Sequence, residues 1–258
     1  LLALGMPMLA ANGVSQENVL AFCRHLTPFE VDGYNKIRLG NAHDGGYIFI
    51  DDFADISTVI SCGISDDVTC DVAFAELGKP VVQFDHTVEG PPVQHPRFDF
   101  RKQAIDALGT IPGSVKLWDV VKDVGDPAKS DVLLKIDIDG DEWATFANYP
   151  VDELKRFRQL SCEFHWSSRM KDPEYFSVCL RAVENLRKVF LPIHLHANNF
   201  VGFCSLMGVP LPEVYEVTFV NSAFYRPARK QQGAPSAIDN PNNPDAPDLF
   251  LGSPFGIA

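Results

Sequence analysis

After residue 45 the chain alternates two kinds of segment, and this alternation limits its fold more than any other feature. "STVISCG" (57–63) is a β-branched run closing on glycine. "DDVTCDVAFAELG" (66–78) spaces its apolar residues helically and ends on Gly78, the residue a helix C-cap favours. "PVVQFD" (80–85) reads as a second strand, "FRKQAIDALG" (100–109) as a helix, "SVKLWDV" (114–120) as a third strand and "DVLLKIDID" (131–139) as a fourth. Helical turns broken at Pro150 follow (143–157), then a fifth strand, "QLSCEFHW" (159–166), and an amphipathic helix (173–189). "PIHLHANN" (192–199) and "VYEVTFVN" (214–221) close the series as strands. Strands separated by helices need crossover connections, so the pattern predicts an α/β fold: a doubly wound, mostly parallel sheet with helices on both faces.

The flanks read differently. "SQENVLAFCRHL" (15–26) offers a Ser N-cap and a helical stripe, and "NKIRLGNAHDGGYIFIDD" (35–52) reads as a hairpin around Asp44-Gly45-Gly46. Beyond residue 226, Pro, Asn, Asp and Gly dominate, giving a tail with no core of its own. The expected organisation is an N-terminal helix and hairpin (1–50), an α/β core (51–225) and an irregular tail (226–258) that packs on the core. The apolar opening "LLALGMPMLAA" starts at Leu1 rather than Met and reads as a terminal helix packed on the domain; the trimmed end of a longer segment, a signal included, fits it as well. A net charge of −12 argues against a nucleic-acid partner, which calls for a basic face. No apolar run reaches the roughly 18–20 residues of a membrane span. The six cysteines form no C-x-x-C pair, which suits buried thiols in a reducing, cytoplasmic setting.

In an open parallel sheet, ligands bind beyond the carboxyl ends of the strands. Strand one ends at Gly63, which allows close backbone approach or simply a tight turn. Strand two ends at Asp85, some twenty residues on, where a ribose diol would be held or a turn capped. Strand three ends in Trp118-Asp119, suited to an adenine or to core packing. Strand four ends in "KIDIDGDEW" (135–143), with four acids in six positions. Alternation places Asp137 and Asp139 on one face, toward the crevice, and leaves Asp141 and Glu142 at the start of the next helix, where negative charge is favoured.

In this order, "SCGISDD", "VVQFDHT", "LLKIDIDGDEW" and "SCEFHW", preceded by "RLG" and "DGGY", resemble the S-adenosylmethionine-dependent methyltransferases of the FkbM-like group, particularly the methyltransferase-like 24 subgroup, over residues 36–200. The chain has one glycine after strand one where two or three are common in methyltransferases. The resemblance implies a Rossmann-like class I methyltransferase sheet that binds S-adenosylmethionine. It implies that Gly63 lines the methionine moiety, that Asp85 binds the ribose, that Asp119 lies near the adenine and that Asp137 faces the sulfonium or the substrate. The "DGGY" segment (Asp44, Gly45, Gly46, Tyr47) would fold over the cofactor, with Arg38 for its carboxylate and Asp44 for its amino group.

Histidines supply the remaining chemistry. Glu163 and His165 share a face of strand five, and His194 and His196 share a face of a later strand. Asp139, His165 and His196 would converge as ligands of a divalent metal; alternatively the histidines are hydrogen-bonded in the core, or His165 is a general base without metal. Asn198 and Asn199 suit a polyol or a turn. The leading expectation is O-methylation of a hydroxyl on a polar small molecule or glycan, with Asp137, Asp139 and His165 catalytic. The alternatives are a metal-dependent hydrolase built on Asp137, Asp139, His165 and His196, and an inactive S-adenosylmethionine-binding module.

Overall fold

The computed structural model describes residues 13–257; the helix expected over the opening apolar stretch lies outside the described residues. The elements are α1 (Gln16–His25), β1 (Phe29–Val31), β2 (Lys36–Leu39), β3 (Tyr47–Ile50), β4 (Thr58–Cys62), α2 (Thr69–Glu76), β5 (Val81–Phe84), β6 (Phe98–Arg101) and α3 (Leu117–Val120). They continue as β7 (Val132–Ile136), α4 (Glu142–Asn148), α5 (Val151–Leu154), β8 (Phe157–Phe164), α6 (Pro173–Arg187), β9 (Phe190–Ala197), β10 (Phe203–Leu206), β11 (Val209–Pro212), β12 (Tyr215–Asn221) and β13 (Pro227–Lys230).

Seven strands form one sheet in the order β6-β5-β4-β7-β8-β12-β9. β4 is parallel to β5 and to β7, while β12 runs antiparallel to both β8 and β9. The chain lays strands outward from β4 to β6, then returns to the other side of β4 to place β7. That reversal is a topological switch point, and the sheet is the Rossmann-like, doubly wound, mostly parallel α/β sheet that the alternation predicts.

Alternate residues of the central strands feed two cores. Ile60, Leu134 and Ile136 face α1, α4 and α6, where Phe22, Trp143 and Phe176 pack. Val59 and Leu133 face the other way, toward α2 and the β2–β3 hairpin, where Phe49 and Phe53 meet Phe74 edge-on at 5.2 and 5.6 Å. Side-chain caps set two helix starts, the first of them the expected Ser N-cap. Ser15 Oγ accepts from Asn18 N at 3.2 Å, and Asp172 caps α6 ahead of Pro173, accepting from Glu174 N at 2.8 Å.

Two elements differ from expectation. Residues 100–109 are not a helix: Phe98–Arg101 is the third parallel strand, paired with β5. Asp106 organises the turn beyond it, accepting from the amides of Leu108, Gly109 and Ile111 and from Thr110 Oγ1. An Asp that collects nearby amides competes with helix formation. Residues 114–120 are not a strand; Val115 makes one isolated bridge to Ile105, and Leu117–Val120 is a helical turn. The antiparallel hairpin β10–β11 also went unanticipated.

The tail leaves its first strand, β13, on β1 and then meets the β9 histidines through Asp239 and Asp248, with Ala234, Leu251, Phe255 and Ile257 buried in the main core. All six cysteines are free thiols. Among the described residues no helix is long and apolar enough to cross a membrane.

Candidate active site at the switch point

The loops after β4 and β7 touch at the switch point. Gly63 has φ +74°, and a Cβ there would lie 1.6 Å from the carbonyl oxygen of Asp137, so only glycine lets the two loops meet. Around this contact opens a cleft of about 480 Å³, lined by Gly63, Asp85, Ile105, Asp137 and Asp141 among others. A smaller pocket of about 130 Å³ lies beneath the β2–β3 hairpin, lined by Asp44, Gly45, Asp67, Asp71 and Lys135. The two share Gly63, Ser65 and Asp137.

Asp85 ties this rim together. Its Oδ2 accepts from the amides of Ile64 and Ser65 at 3.0 and 2.9 Å, and its Oδ1 from Thr87 N and Oγ1 at 2.7 and 2.6 Å. Burial pushes its carboxyl up, but the bonds from Thr87, Ser65 and Ile64 outweigh that and hold it below the usual range. The "DGGY" loop closes over the smaller pocket for steric reasons. Gly45 has φ +81°, and a Cβ on Gly46 would sit 1.9 Å from Asn41 O. Asp44 accepts from Asn242 of the tail at 3.2 Å, and Tyr47 Oη donates to Asp137 at 2.9 Å.

"KIDIDGDEW" divides differently from the expected scheme. β7 ends at Ile136, so strand alternation stops before Asp139. Asp139 has φ +57° and its side chain is 91% exposed at the rim, 4.0 Å from His165 Nε2. Asp141 is exposed and makes no capping bond to α4. Glu142 opens α4 as expected, but it is fully buried rather than simply a charge at the helix start. It accepts from Ile138 N at 2.6 Å, Gly140 N at 2.9 Å and His165 Nδ1 at 3.2 Å. Burial raises its pKa, opposed by His165. The inward acids are therefore Asp137 and Glu142. Trp143 supports the arrangement, stacking on Phe164 at 4.1 Å while its Nε1 donates to the carbonyl of His165 at 2.8 Å.

Beside Asp137 lie three groups. Lys135 Nζ is 3.6 Å from Asp137 Oδ2, donates to the Gly63 carbonyl and sits 5.2 Å from the Tyr47 ring centroid. Burial alone would lower its pKa, but Asp137, Asp71 and Glu163 around it raise the value above normal, keeping it an ammonium. His165 Nε2 lies 3.8 Å from Asp137 Oδ1 and 3.7 Å from Glu163 Oε1. Burial lowers its pKa, yet the Glu142 hydrogen bond and charge, with Asp137 and Asp139, raise it overall. Glu163 accepts from Asn198 Nδ2 at 3.0 Å, and burial together with Asp137, Glu216 and Asp44 pushes its carboxyl well up.

Several expected site residues are elsewhere. His196 Nε2 contacts Asp248 at 3.0 Å and His194 Nε2 contacts Asp239 at 2.7 Å, so the tail occupies both rings. The trio Asp139, His165 and His196 does not assemble. The group whose ligand atoms lie within 4.8 Å of one another is Asp137, Glu163 and His165. The hydrolase quartet, which also needs His196, is likewise not gathered. Asp119, displaced by the misplaced third strand, is exposed, pairs with Lys122 at 2.9 Å and lines neither pocket. Arg38 donates to Gly46 O at 2.7 Å, bracing the hairpin rather than facing the pocket. Lys135 was missed, although its spacing from Asp137 puts the two on one strand face. Glu142 was misassigned because nothing local shows that the loop before it folds back onto its carboxylate.

No family model matches the chain, and no curated protein matches it. Among solved structures it is similar to the bifunctional kinase-methyltransferase WbdD, at 11% identity over 70% of this chain and 40% of that one, with a TM-score of 0.32. The chain thus spans less than half the length of that protein, and a likeness this loose carries no argument about the site.

Proposed function

We propose that the chain is an S-adenosylmethionine-dependent methyltransferase of the FkbM-like kind, acting on a hydroxyl of a polar small molecule or sugar. The observation that carries the reading is the pair of pockets joined at Gly63 across the switch point, one of about 480 Å³ and one ringed by acids around a single lysine. When bound, the cofactor supplies an electrophilic methyl group on a sulfonium. In the larger cleft, Asp85 would bind the ribose, and the Ala104–Ile105 edge would lie against the adenine in place of Asp119. In the smaller pocket, Lys135 suits the methionine carboxylate and Asp44 its ammonium group, so Lys135 takes the part first given to Arg38. Asp137 lines both pockets, and Glu163 and His165, buried beside it, would serve an acceptor hydroxyl brought up to Asp137. Alignment of the reacting groups and removal of one proton are what this chemistry asks of the protein.

The test is thermal unfolding with S-adenosylhomocysteine. Ligand at 100 times its Kd should add about 2.7 kcal/mol of stability. An unchanged Tm at millimolar ligand would overturn the reading.

A further inference from the structure

His165 is 7% exposed, and among the described residues its Nε2 makes no hydrogen bond. Its Nδ1 faces Glu142, a carboxylate with no exposure, which fixes the ring and aims Nε2 outward at Asp137 and Glu163. The distances there, 3.8 and 3.7 Å, are too long for hydrogen bonds. They are a little wider than the ~3.0–3.4 Å between neighbouring ligands on an ion with ~2.1 Å bonds. Two carboxylate oxygens and one imidazole nitrogen converge on one point, and Glu142 stands behind the imidazole as a carboxylate does behind metal-bound histidines. Asn198 fixes Glu163 through Oε1 at 3.0 Å. The ammonium nearest the group, Lys135, lies beside the other oxygen of Asp137, Oδ2, and leaves Oδ1 free to face His165.

We propose that Asp137, Glu163 and His165 form a binding site for one divalent first-row transition ion, with Glu142 as the positioning residue and Asp137 linking the site to the cleft. The mixed oxygen and nitrogen set favours manganese, cobalt or zinc over calcium, which takes six to eight oxygens. The inference deepens the methyltransferase reading and rests on it for its purpose: an ion here would bind the acceptor hydroxyl and lower its pKa beside the methyl donor.

The experiment titrates Mn²⁺ into the chelator-treated chain and follows loss of the free-ion paramagnetic signal. The expected result is one Mn²⁺ per chain, with affinity reduced at least tenfold in Glu163→Gln and in His165→Ala, and about tenfold in Glu142→Gln. Asp152→Asn, at an exposed acid on α5 paired with Lys155, should bind as the parent does. Ca²⁺ should compete at least tenfold more weakly than Mn²⁺. Circular dichroism confirms that each variant is folded, and a variant that is not is replaced by His165→Gln. Absence of saturable binding in the parent, or parental affinity in both folded ligand variants, overturns the site and marks any binding as adventitious to an acidic surface. S-Adenosylhomocysteine binding is measured on the same metal-free chain, so failure of the cofactor reading and failure of the metal site are distinguished.

Discussion

Two groups of histidines lie on adjacent parts of one sheet, and their fates differ. His165 follows β8, while His194 and His196 lie within β9, with β12 between the two strands. Each meets a carboxylate. His165 is held through Nδ1 by Glu142, twenty-three residues earlier, which leaves Nε2 facing Asp137 and Glu163. His194 and His196 are held through Nε2 by Asp239 and Asp248, and their Nδ1 atoms are buried without a partner. The same residue types adjoin the candidate site in one place and fasten the tail in the other. What separates the two is which ring nitrogen the partner takes, and whether the other faces carboxylates or is buried without a partner.

The contrast yields predictions of decreasing size. Replacing His165 with Ala should lower methyl transfer about 100-fold or more while leaving the affinity for S-adenosylhomocysteine within a few-fold, read by turnover and calorimetry side by side. His196→Ala should do the reverse, costing stability while sparing turnover in the molecules that stay folded. If His196→Ala folds well and is inactive, the division between the two groups is wrong.

Asp239→Asn should cost about 2–3 kcal/mol, because a buried carboxylate bonded to a histidine is replaced and its partner left short of an acceptor. The side chains of Asp239 and His194 are 0% and 1% exposed. Burial raises the Asp239 pKa, but the charge and hydrogen bond of His194 overcome this and hold it well below the ordinary value. A carboxylate with a depressed folded pKa contributes stability above its unfolded value near pH 4, and loses it as the pH falls through the folded value. The gap in Tm between parent and Asp239→Asn should therefore be full at neutral pH and shrink below about pH 4. A gap that widens with acid would contradict the pairing. At the small end, Asp141→Asn should shift stability by only about 0.3–1 kcal/mol, the scale of an exposed charge near a helix start.

Much of the fold was legible in the sequence because it rests on local pattern. The β-branched runs at 57–63 and 131–136, the capped helices after Ser15 and Asp172, and the glycines of the hairpin each carry their own signal. The third strand was lost because "FDFR" is short and followed by residues with helical spacing, and because Asp106 redirects the chain through bonds to amides a few residues ahead. In the candidate site, Gly63, Asp85, Asp137 and His165 could be found because each sits at or just past a strand end. Asp139 was placed wrongly because the strand stops at Ile136 and the alternation argument ran three residues too far. His196 could not have been assigned from local pattern, since its partner Asp248 lies 52 residues away in a tail with no periodicity.

The central claim is that the cleft at the switch point binds the cofactor, and one calorimetric titration tests it. S-Adenosylhomocysteine is titrated into the parent chain and into Asp85→Ala, with folding checked for both. The account predicts saturable one-to-one binding to the parent, weakened by about 1–3 kcal/mol in the variant through lost hydrogen bonds at the rim. No heat of binding at millimolar ligand, or equal affinity in the two chains, would contradict it.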